Sequence, residues 1–426
     1  MRMHIYFSGI GGTGIGPLAA IAKLAGYKVS GSDKQASAYI DYLHSKGIMA
    51  HVGQEDDSYI RQLHAKEPID WFVYSSALPI ENANHPELLF VKSHAIKHSK
   101  RDAFLAHFLK VKKLELVAFA GTHGKTSSTA MAVWAAKQLK IPVSYSVGAK
   151  LSFGAMGDYS KESRYFIYEC DEFDKNFLAF YPYISVLTKV DWDHHEQYPT
   201  RQQYIQAFQA FVQQSQYTYA HDKEIHYLSL DSVANVQSIR KVYRDKITLK
   251  GAHNRDNAAG VIAAIAQISH FSIDEIVAAV NTFPGSNRRF EKIASNIYSD
   301  YAHTPEEIAA TLQLAKEYNK DIVVAYEPLT NRRQHYMIDQ YKDVFKDLRA
   351  LYWLPSYLAR EDPAQRVISP EEFIKTLPKS AHAKAATMDA GLRGNLLAAA
   401  ADDAIVLILA GGGGGCLDEW ARAELT

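Results

Sequence analysis

Residues 114–129, LELVAFAGTHGKTSST, pass from an apolar segment through a glycine-containing turn into a segment with helical periodicity. This order is typical of a phosphate-binding loop, in which backbone amides and a lysine surround the β- and γ-phosphates of ATP. Phe119 takes the place of the first glycine of the standard pattern, so a shorter G-x-x-G-K-T remains. A plain strand-to-helix turn is the alternative. The flanking strand and helix and the Lys-Thr pair favour ATP.

The predicted ATP contacts of this loop come from backbone amides, a lysine and hydroxyl groups. Lys125 adds a mobile positive charge, and the Thr126 hydroxyl can bind Mg²⁺. The loop residues predicted to bind ATP are Gly121, Thr122, His123, Gly124, Lys125, Thr126 and Ser127.

A second glycine-containing loop lies in residues 4–33, HIYFSGIGGTGIGPLAAIAKLAGYKVSGSD. Gly9, Gly11 and Gly14 fit the spacing G-x-G-x-x-G, and Asp33 ends the next strand, where it could meet a ribose hydroxyl. This pattern suits NAD, so an NAD-dependent oxidoreductase is one hypothesis. The same loop accepts any diphosphate at a helix N-terminus, however. Two phosphate loops in separate domains instead suggest that one holds a nucleotide-linked substrate and the other binds ATP.

Short β-rich segments alternate with helical patterns along the 426 residues, which predicts three α/β domains in series. We expect a Rossmann-like domain in residues 1–109, a central P-loop ATPase domain in 110–291 and a Rossmann-like C-terminal domain in 292–426. Thr304, Pro305 and Glu307 predict the start of a helix.

A third glycine-rich turn lies in residues 407–420, LILAGGGGGCLDEW. A phosphate site is conceivable there. No Lys-Ser/Thr pair follows the glycines, so the pattern favours a close-packed crossover between a strand and a helix.

Composition limits the classes of function. Lys and Arg together number 47, as do Asp and Glu, so no overall basic charge would attract nucleic acid or an anionic membrane. The two cysteines, Cys170 and Cys416, have no metal-ligand spacing and favour a reducing compartment. The apolar runs are too short to span a bilayer and no signal-peptide pattern is present, so we expect a cytoplasmic protein.

Acidic and histidine side chains follow two further strands of the central domain. Because ligands gather at the carboxyl edge of open α/β sheets, these side chains could bind Mg²⁺, and a histidine ligand would also admit Mn²⁺. Helix capping and a simple turn remain open alternatives. The residues concerned are Glu169, Asp171, Glu172 and Asp174 after the first strand, and Asp191, Asp193, His194 and His195 after the second.

Residues 251–257, GAHNRDN, carry two asparagines on one helical face. Asn254 and Asn257 could pair with an adenine edge through their amide groups, or they could cap the helix.

Together these motifs resemble those of the Mur ligases, ATP-dependent amino-acid ligases of peptidoglycan precursor synthesis. The matching segments, in the family's order, are GIGGTGIG, GSD, SSA, GTHGKTSST, ECDEFD, DWDHHEQYP, GAHNRDN, NRRF and SDYAHTPEE. The resemblance covers essentially the whole chain and is closest to the alanine-adding branch of the family.

The resemblance implies roles for the matching positions. The first loop would hold the diphosphate of UDP-N-acetylmuramate, and the second would hold ATP. Asn254 and Asn257 would contact adenine, and Asp300 the ribose. The implied substrate-binding residues are Gly11, Gly12, Thr13, Gly14, Asp33, Ser75, Ser76 and Tyr301. The implied catalytic residues are Lys125, Glu169, His194, Arg289 and His303, and the implied metal ligands are Thr126, Glu169 and His194.

The same resemblance implies a reaction. ATP would phosphorylate the lactyl carboxylate of the sugar to an acyl phosphate, which the amine of L-alanine would then attack. The implied partners are these small molecules, without nucleic acid or membrane, and the protein would be a monomer or a homodimer.

Two departures from the family pattern bear on the acceptor. Several sister ligases use a carbamylated lysine on the helix after the metal histidine, whereas residues 200–215 contain no lysine, in agreement with the alanine-adding branch. Residues 326–336, YEPLTNRRQHY, carry Glu327 and Leu329 where that branch usually shows a QPH stretch. Asn331 resembles the ligase that attaches a ready-made tripeptide to the same sugar nucleotide, so this ligase is the alternative. Thr304 stands where a second histidine is common.

Overall fold

The computed structural model describes residues 2–194, 197–358, 361 and 364–426. The chain forms two compact units. The first contains Met1–Ile247 and Asn257–Phe283, and the second contains Thr248–Asp256 and Pro284–Thr426. Among the residues described, none of the helices combines the length and the apolar character needed to cross a bilayer.

The first sheet of the first unit has five parallel strands in the order β3-β2-β1-β4-β5. Its strands are β1 His4–Ser8, β2 Lys28–Asp33, β3 Met49–Val52, β4 Trp71–Tyr74 and β5 Lys97–Lys100. Its helices are α1 Gly16–Leu24, α2 Ala38–Ser45, α3 Ser58–Lys66, α4 Ala77–Glu81, α5 Pro86–Ser93 and α6 Arg101–Lys112. The strand order reverses between β1 and β4, and such a reversal opens a crevice at the carboxyl ends of the strands.

One face of this sheet carries a buried polar network. The side chain of Glu87, on α5, is 2% exposed and accepts hydrogen bonds from the hydroxyls of Tyr6, Ser8 and Ser32, the last two over 2.7 and 2.6 Å. Gln54 Nε2 donates to the same carboxylate over 3.2 Å. Because a buried carboxylate is costly without partners, these four donors fix α5 to β1, to β2 and to the segment after β3.

The second sheet of the first unit has seven strands in the order β12-β11-β10-β6-β9-β7-β8. They are β6 Glu115–Ala120, β7 Val143–Ser146, β8 Gly157–Asp158, β9 Tyr165–Cys170, β10 Ile184–Leu187, β11 Tyr217–Ala220 and β12 Val236–Ser238. The helices are α7 Lys125–Gln138, α8 Arg201–Gln214, α9 Asp222–Tyr227, α10 Lys241–Asp245, α11 Ala252–Ile268 and α12 Ile273–Asn281, with a 3₁₀ helix at Phe173–Ala179. Only the edge strand β8 pairs antiparallel, so β6 and β9 release their loops at the same edge.

The helix α8 begins at a capping box formed by Thr200 and Gln203 and buries an aromatic face. Tyr204, Phe208 and Phe211 on this face are each fully buried. The ring of Phe208 lies edge-on to Phe177, in the 3₁₀ helix, with 5.1 Å between centroids. These contacts fix α8 against the segment that follows β9.

The second unit contains a six-stranded sheet in the order β13-β14-β18-β15-β16-β17. The strands are β13 Glu291–Ala294, β14 Ile297–Asp300, β15 Ile322–Glu327, β16 Ala350–Trp353, β17 Ala383–Ala385 and β18 Ile405–Ala410. The helices are α13 Pro305–Lys316, α14 Asn331–Tyr341, α15 Pro370–Phe373, α16 Ala390–Ala401 and α17 Leu417–Glu424, with 3₁₀ turns at Ile374–Thr376 and Lys379–Ala381. The predicted start of α13 is confirmed, because Thr304 caps the helix and Glu307 completes a capping box.

The third glycine-rich turn joins β18 to α17 and is closely packed, as the sequence predicted. A Cβ atom at Gly411 would lie 2.9 Å from Leu329 Cδ2, and one at Gly412 would lie 2.6 Å from Tyr357 Cδ2. Both distances are too short for a side chain, so glycine is required by packing at these positions.

Candidate functional site

The phosphate loop lies between β6 and α7. Gly121 and Gly124 have φ angles of +145° and +89°, which residues other than glycine rarely adopt. The amides of Thr122 and His123 donate to the carbonyl of Lys189 over 2.8 and 3.1 Å. The loop is therefore held at the carboxyl edge of the sheet. The first amides of an α-helix have no partners within the helix, so the start of α7 can receive an anion. Thr126 and Ser127, in this first turn, are half-buried.

Lys125 is folded back on its own loop. Its Nζ donates to the carbonyl oxygens of Gly121 and Thr122 over 2.5 and 3.3 Å, and to Glu172 Oε2 over 2.7 Å. The side chain of Glu172 is fully buried and that of Lys125 is 18% exposed. Burial alone would raise the pKa of Glu172, but Lys125 and His194 outweigh it and lower this pKa to about 2. The carboxylate is thus ionised beneath the loop.

A group of possible metal ligands lies next to this ion pair. One ligand atom each from Asp171, Glu172 and His194 lies within 4.8 Å of the other two. His194 Nε2 is 3.6 Å from Glu172 Oε1. Two carboxylates and an imidazole suit a divalent cation such as Mg²⁺ or Mn²⁺. The sequence placed all three residues among the possible metal ligands, but the ligand set implied by the family resemblance contains only His194 of them.

Glu169, the acid that the family resemblance assigns to the metal, is the residue before the end of strand β9 and lies opposite Phe119 of β6. Its side chain lies against Gly148, where a Cβ atom would clash with Glu169 Oε1. The metal role of Glu169 stays a prediction. His195, also singled out in the sequence, lies outside the described residues.

Two tyrosines that the sequence did not single out support the loop. Tyr204 OH lies 2.7 Å from Thr122 Oγ1 and donates to Glu172 Oε1 over 3.4 Å. Tyr198 OH donates to the backbone carbonyl of Glu172 over 2.5 Å. Thr122 Oγ1 in turn donates to the carbonyl of Asp191. The only sequence signal for Tyr204 is its place on the apolar face of α8.

Asn257 packs directly on the phosphate loop. A Cβ atom at Gly124 would lie 2.5 Å from Asn257 Oδ1. Any other residue at position 124 would therefore clash with the side chain of Asn257. Asn254, one helical turn earlier in α11, donates from Nδ2 to the carbonyl of Lys250 over 2.9 Å. The predicted adenine contacts of both asparagines stay predictions.

The first glycine loop is organised by Asp33. Asp33 Oδ2 accepts a hydrogen bond from the Gly11 amide over 2.8 Å, and the Gly9 amide donates to Ser32 O over 2.8 Å. Gly12 and Thr13, at the tip of the loop, are exposed. Asp33, which the sequence predicts to contact a ligand, therefore stabilises the first glycine loop through its side chain.

Arg101, which the sequence analysis missed, contacts this loop. Its Nη1 lies where a Cβ atom of Gly14 would stand, and its Nη2 donates to Asp171 Oδ2 over 3.2 Å. The neighbouring Lys100 pairs with Asp174. Arg101 and Lys100 thus connect the first sheet with the acidic segment after β9.

Ser75 and Ser76 follow β4 at the same edge as the first loop. Ser75 is half-buried, whereas Ser76 is buried and donates from Oγ to Asn176 Oδ1 over 3.3 Å. The side chain of Ser76 thus contacts the segment after β9, and the substrate role of both serines stays a prediction.

In the second unit, Asp300 organises the loop before β13. Its carboxylate accepts hydrogen bonds from the amides of Phe290 and Ala302 over 2.7 and 2.8 Å. Burial raises the pKa of Asp300. The guanidinium of Arg289 lies over the ring of Tyr301, 5.3 Å from the centroid.

His303 is held by its own loop. Its Nδ1 lies 3.0 Å from the carbonyl of Tyr301 and 3.1 Å from Glu307 Oε2. Burial lowers the pKa of His303, which favours the neutral ring. The hydroxyls of Tyr326 and Tyr341 both donate to the backbone carbonyl of His303.

Two residues that depart from the alanine-adding pattern have structural partners. Asn331 is 1% exposed; its Nδ2 donates to Arg366 O and its Oδ1 accepts from the amide of Ile368. Glu327 is 4% exposed and accepts from the amide of Leu417 over 3.2 Å. Burial raises the pKa of Glu327 to about 7.

Three family models match successive parts of the chain. The Mur ligase family catalytic domain matches residues 4–113, the Mur ligase middle domain residues 119–220 and the Mur ligase glutamate ligase domain residues 288–412.

Curated relatives match most of the chain. The UDP-N-acetylmuramate--L-alanine ligase of Clostridium beijerinckii is 31% identical over 408 residues, which are 86% of each chain. The enzyme of the same name from Clostridium acetobutylicum is 30% identical over 397 residues, 84% of each chain.

Solved structures share the fold. The UDP-N-acetylmuramate-alanine ligase MurC of Thermotoga maritima superposes with a TM-score of 0.77 at 23% identity, covering 100% of this chain and 98% of that one. A murein peptide ligase of Psychrobacter arcticus superposes with a TM-score of 0.66 at 19% identity, covering 99% of this chain and 98% of that one. The predicted three-domain α/β fold is thereby confirmed. The chain belongs to the Mur ligase family and is an ATP-dependent ligase that forms an amide bond.

Proposed function

We propose that this ligase joins L-alanine to UDP-N-acetylmuramate in peptidoglycan precursor synthesis, with ATP converted to ADP and phosphate. The observation that carries this proposal is the pair of glycine loops at the carboxyl edges of two separate sheets, only the second of which bears a lysine. The names of the relatives support the choice of substrates. The oxidoreductase hypothesis is set aside because the chain belongs to a ligase family.

The two loops have different tasks in this proposal. The first loop, from Gly11 to Gly14, binds the diphosphate of the sugar nucleotide, and Asp33, Ser75 and Ser76 lie beside it. The second loop binds ATP through its amides and through Lys125. The lactyl carboxylate is a poor electrophile, so the γ-phosphoryl group is transferred to it and the resulting acyl phosphate is attacked by the amine.

Charge neutralisation is the main physical problem of the first step. The carboxylate and the triphosphate repel each other, and Lys125 and the first-turn amides of α7 reduce this repulsion. Mg²⁺, for which Mn²⁺ could substitute, would neutralise phosphate charge when held by Thr126 and by the acids and His194 at the carboxyl edge of the sheet.

Residues of the second unit complete the proposal. Arg289 is assigned to the phosphates, Asp300 to the ribose, and Tyr301 and His303 to the incoming amino acid. Asn254 and Asn257, both on α11, are assigned to adenine, and of these two Asn257 belongs to the first unit. An acyl phosphate hydrolyses readily in water, so the reaction requires that water be excluded from it.

The tripeptide-attaching ligase remains the alternative, because Asn331 resembles its pattern and Glu327 departs from that of the alanine-adding branch. Both side chains have partners inside the fold, however, which weakens the argument that they select a peptide. We therefore favour L-alanine. The two cysteines are free and buried, which agrees with the proposed cytoplasmic location.

The decisive experiment is a phosphate-release assay with UDP-N-acetylmuramate and ATP. We expect release with L-alanine and little with the L-Ala-D-Glu-diaminopimelate tripeptide. Release with the tripeptide alone would establish the alternative. Absence of release with both acceptors, in a protein that still binds the sugar nucleotide, would contradict catalysis by this chain and favour a sensor of UDP-sugar.

A further inference from the structure

Glu172 is a buried carboxylate approached from different sides by an ammonium group, a phenol and an imidazole. Lys125 Nζ donates to Oε2 over 2.7 Å, and Tyr204 OH donates to Oε1 over 3.4 Å. His194 Nε2 lies 3.6 Å from Oε1. Glu172 is fully buried, so it cannot rely on water as a partner if one of these groups leaves.

Lys125 has no spare hydrogen-bond donor in this arrangement. An ammonium group has three N–H bonds, and the carbonyls of Gly121 and Thr122 and the carboxylate of Glu172 accept three hydrogen bonds from it. A triphosphate in the loop must therefore take Lys125 away from at least one of these acceptors. The phosphates carry several negative charges and compete directly with the anion Glu172.

A simple departure of Lys125 would leave a buried and unpaired carboxylate, which is strongly unfavourable. Glu172 also belongs to the group of possible metal ligands formed with Asp171 and His194, whose ligand atoms lie within 4.8 Å of one another. A divalent cation in that group would replace the positive charge that Lys125 removes. The carboxylate of Glu172 can thus pair first with Lys125 and then with the divalent cation.

We propose that Glu172 is a positioning residue that exchanges its counter-ion: Lys125 pairs with it in the nucleotide-free protein, and a divalent cation replaces Lys125 when the lysine turns to the phosphates. This inference rests on the proposed use of ATP and of a divalent cation by this loop. It makes the nucleotide-free site a poor metal site, because Lys125 already neutralises one of its acids. Metal and nucleotide then bind cooperatively.

The first test measures Mn²⁺ binding to the nucleotide-free protein by the loss of the free-ion electron paramagnetic resonance signal. We expect Lys125→Met to bind Mn²⁺ about tenfold more tightly than the wild type, because Glu172 is then available. The double variant Lys125→Met/Glu172→Gln should lose this gain. Lys175→Met, which removes an exposed charge from the same acidic segment, is the matched control and should change Mn²⁺ binding little.

Two results of this test would overturn the proposal. One is Mn²⁺ affinity in Lys125→Met equal to that of the wild type, and the other is a gain that persists in the double variant. Neither result depends on catalysis, so failure here is distinguishable from failure of the phosphate-release assay, which tests the proposed function itself.

The second test needs no variant that removes the lysine and so does not depend on the folding of one. Acetylation of Lys125 in the wild-type protein is followed by peptide mass spectrometry, with and without Mn²⁺. We expect Mn²⁺ to increase the modification of Lys125 several-fold and to leave that of Lys175 unchanged. In Glu172→Gln, modification of Lys125 should be fast even without metal. If the acetylation of Lys125 in the wild type were the same with and without Mn²⁺, the proposed exchange of counter-ions at Glu172 would be contradicted.

Discussion

The guanidinium of Arg101 donates to the Asp171 carboxylate over 3.2 Å while its other terminal nitrogen lies against Gly14. One side chain thus contacts both the first glycine loop and the acidic segment after β9, which lies beside the phosphate loop. If the first loop binds a diphosphate, we expect Arg101 to contact it.

Replacing Arg101 by methionine should weaken binding of the sugar nucleotide. A charge-assisted hydrogen bond to phosphate contributes roughly 1.5–3 kcal/mol, so we expect the KM for UDP-N-acetylmuramate to rise about tenfold or more, with a small change in the KM for ATP. Steady-state phosphate release measures both constants. Arg164→Met, which breaks an exposed pair with Glu115, is the control. Equal KM values for the sugar nucleotide in Arg101→Met and the wild type would disprove this role.

Replacing Lys125 by alanine should separate the tasks of the two loops. We expect phosphate release to fall roughly a thousandfold, because the variant loses a charge that acts on the transferring phosphoryl group. Binding of UDP-N-acetylmuramate, measured by calorimetry, should survive. Lys137→Ala, at the other end of α7, should keep normal turnover. If Lys125→Ala retained full turnover, the assignment of ATP to this loop would be wrong.

Replacing Gly148 by alanine should test the role of Glu169. The added Cβ atom would clash with Glu169 Oε1 and so displace the carboxylate. If Glu169 helps to hold the metal, the Mg²⁺ concentration for half-maximal activity should rise about tenfold. Gly394→Ala, which has nothing within 4 Å of the added atom, is the control. An unchanged Mg²⁺ requirement in Gly148→Ala would remove Glu169 from the metal site.

Replacing Glu327 by glutamine should stabilise the protein above neutral pH. Burial raises the pKa of Glu327 from 4.5 to about 7, so the folded state binds the proton more tightly than the unfolded state. This stabilising contribution is complete below pH 4.5 and is lost as the pH rises through 7. We expect Glu327→Gln to unfold at a higher temperature than the wild type at pH 8, by an amount equivalent to about 3 kcal/mol, with a much smaller difference at pH 5. Glutamine can still accept from the Leu417 amide, so a destabilised variant at pH 8 would contradict this account.

Features that depend on neighbouring residues were predictable from the sequence. The strand-loop-helix arrangement around Gly124 and the capping of α13 by Thr304 each follow from the chemistry of a few consecutive positions. In these places the local pattern and the fold agree, because a turn or a cap is satisfied within one segment.

The side-chain pairings that the sequence did not predict join distant segments of the chain. Glu172 lies 47 positions from Lys125, Asp171 lies 70 positions from Arg101, and Glu87 lies 79 positions from Ser8. The sequence placed the acids after β9 at the correct edge of the sheet. It could not specify which acid meets the lysine, since that depends on the parallel pairing of β6 with β9 and on side-chain packing.

The departures at Glu327 and Asn331 show a different limit. Their types suggested a change of acceptor, but a buried amide and a buried acid also satisfy backbone groups within a fold. A sequence motif does not distinguish a residue that selects the acceptor from one that satisfies backbone groups. The hydrogen-bond partners of each side chain in the structure do.

The aromatic face of α8 determines whether the protein needs carbon dioxide for activity. Carbon dioxide can attach to a neutral lysine amine, and the sister enzymes with such a modified lysine depend on that gas. Here α8 contains no lysine and presents Phe208 and its aromatic neighbours to the core. Turnover should therefore be the same in degassed, bicarbonate-free buffer as in air.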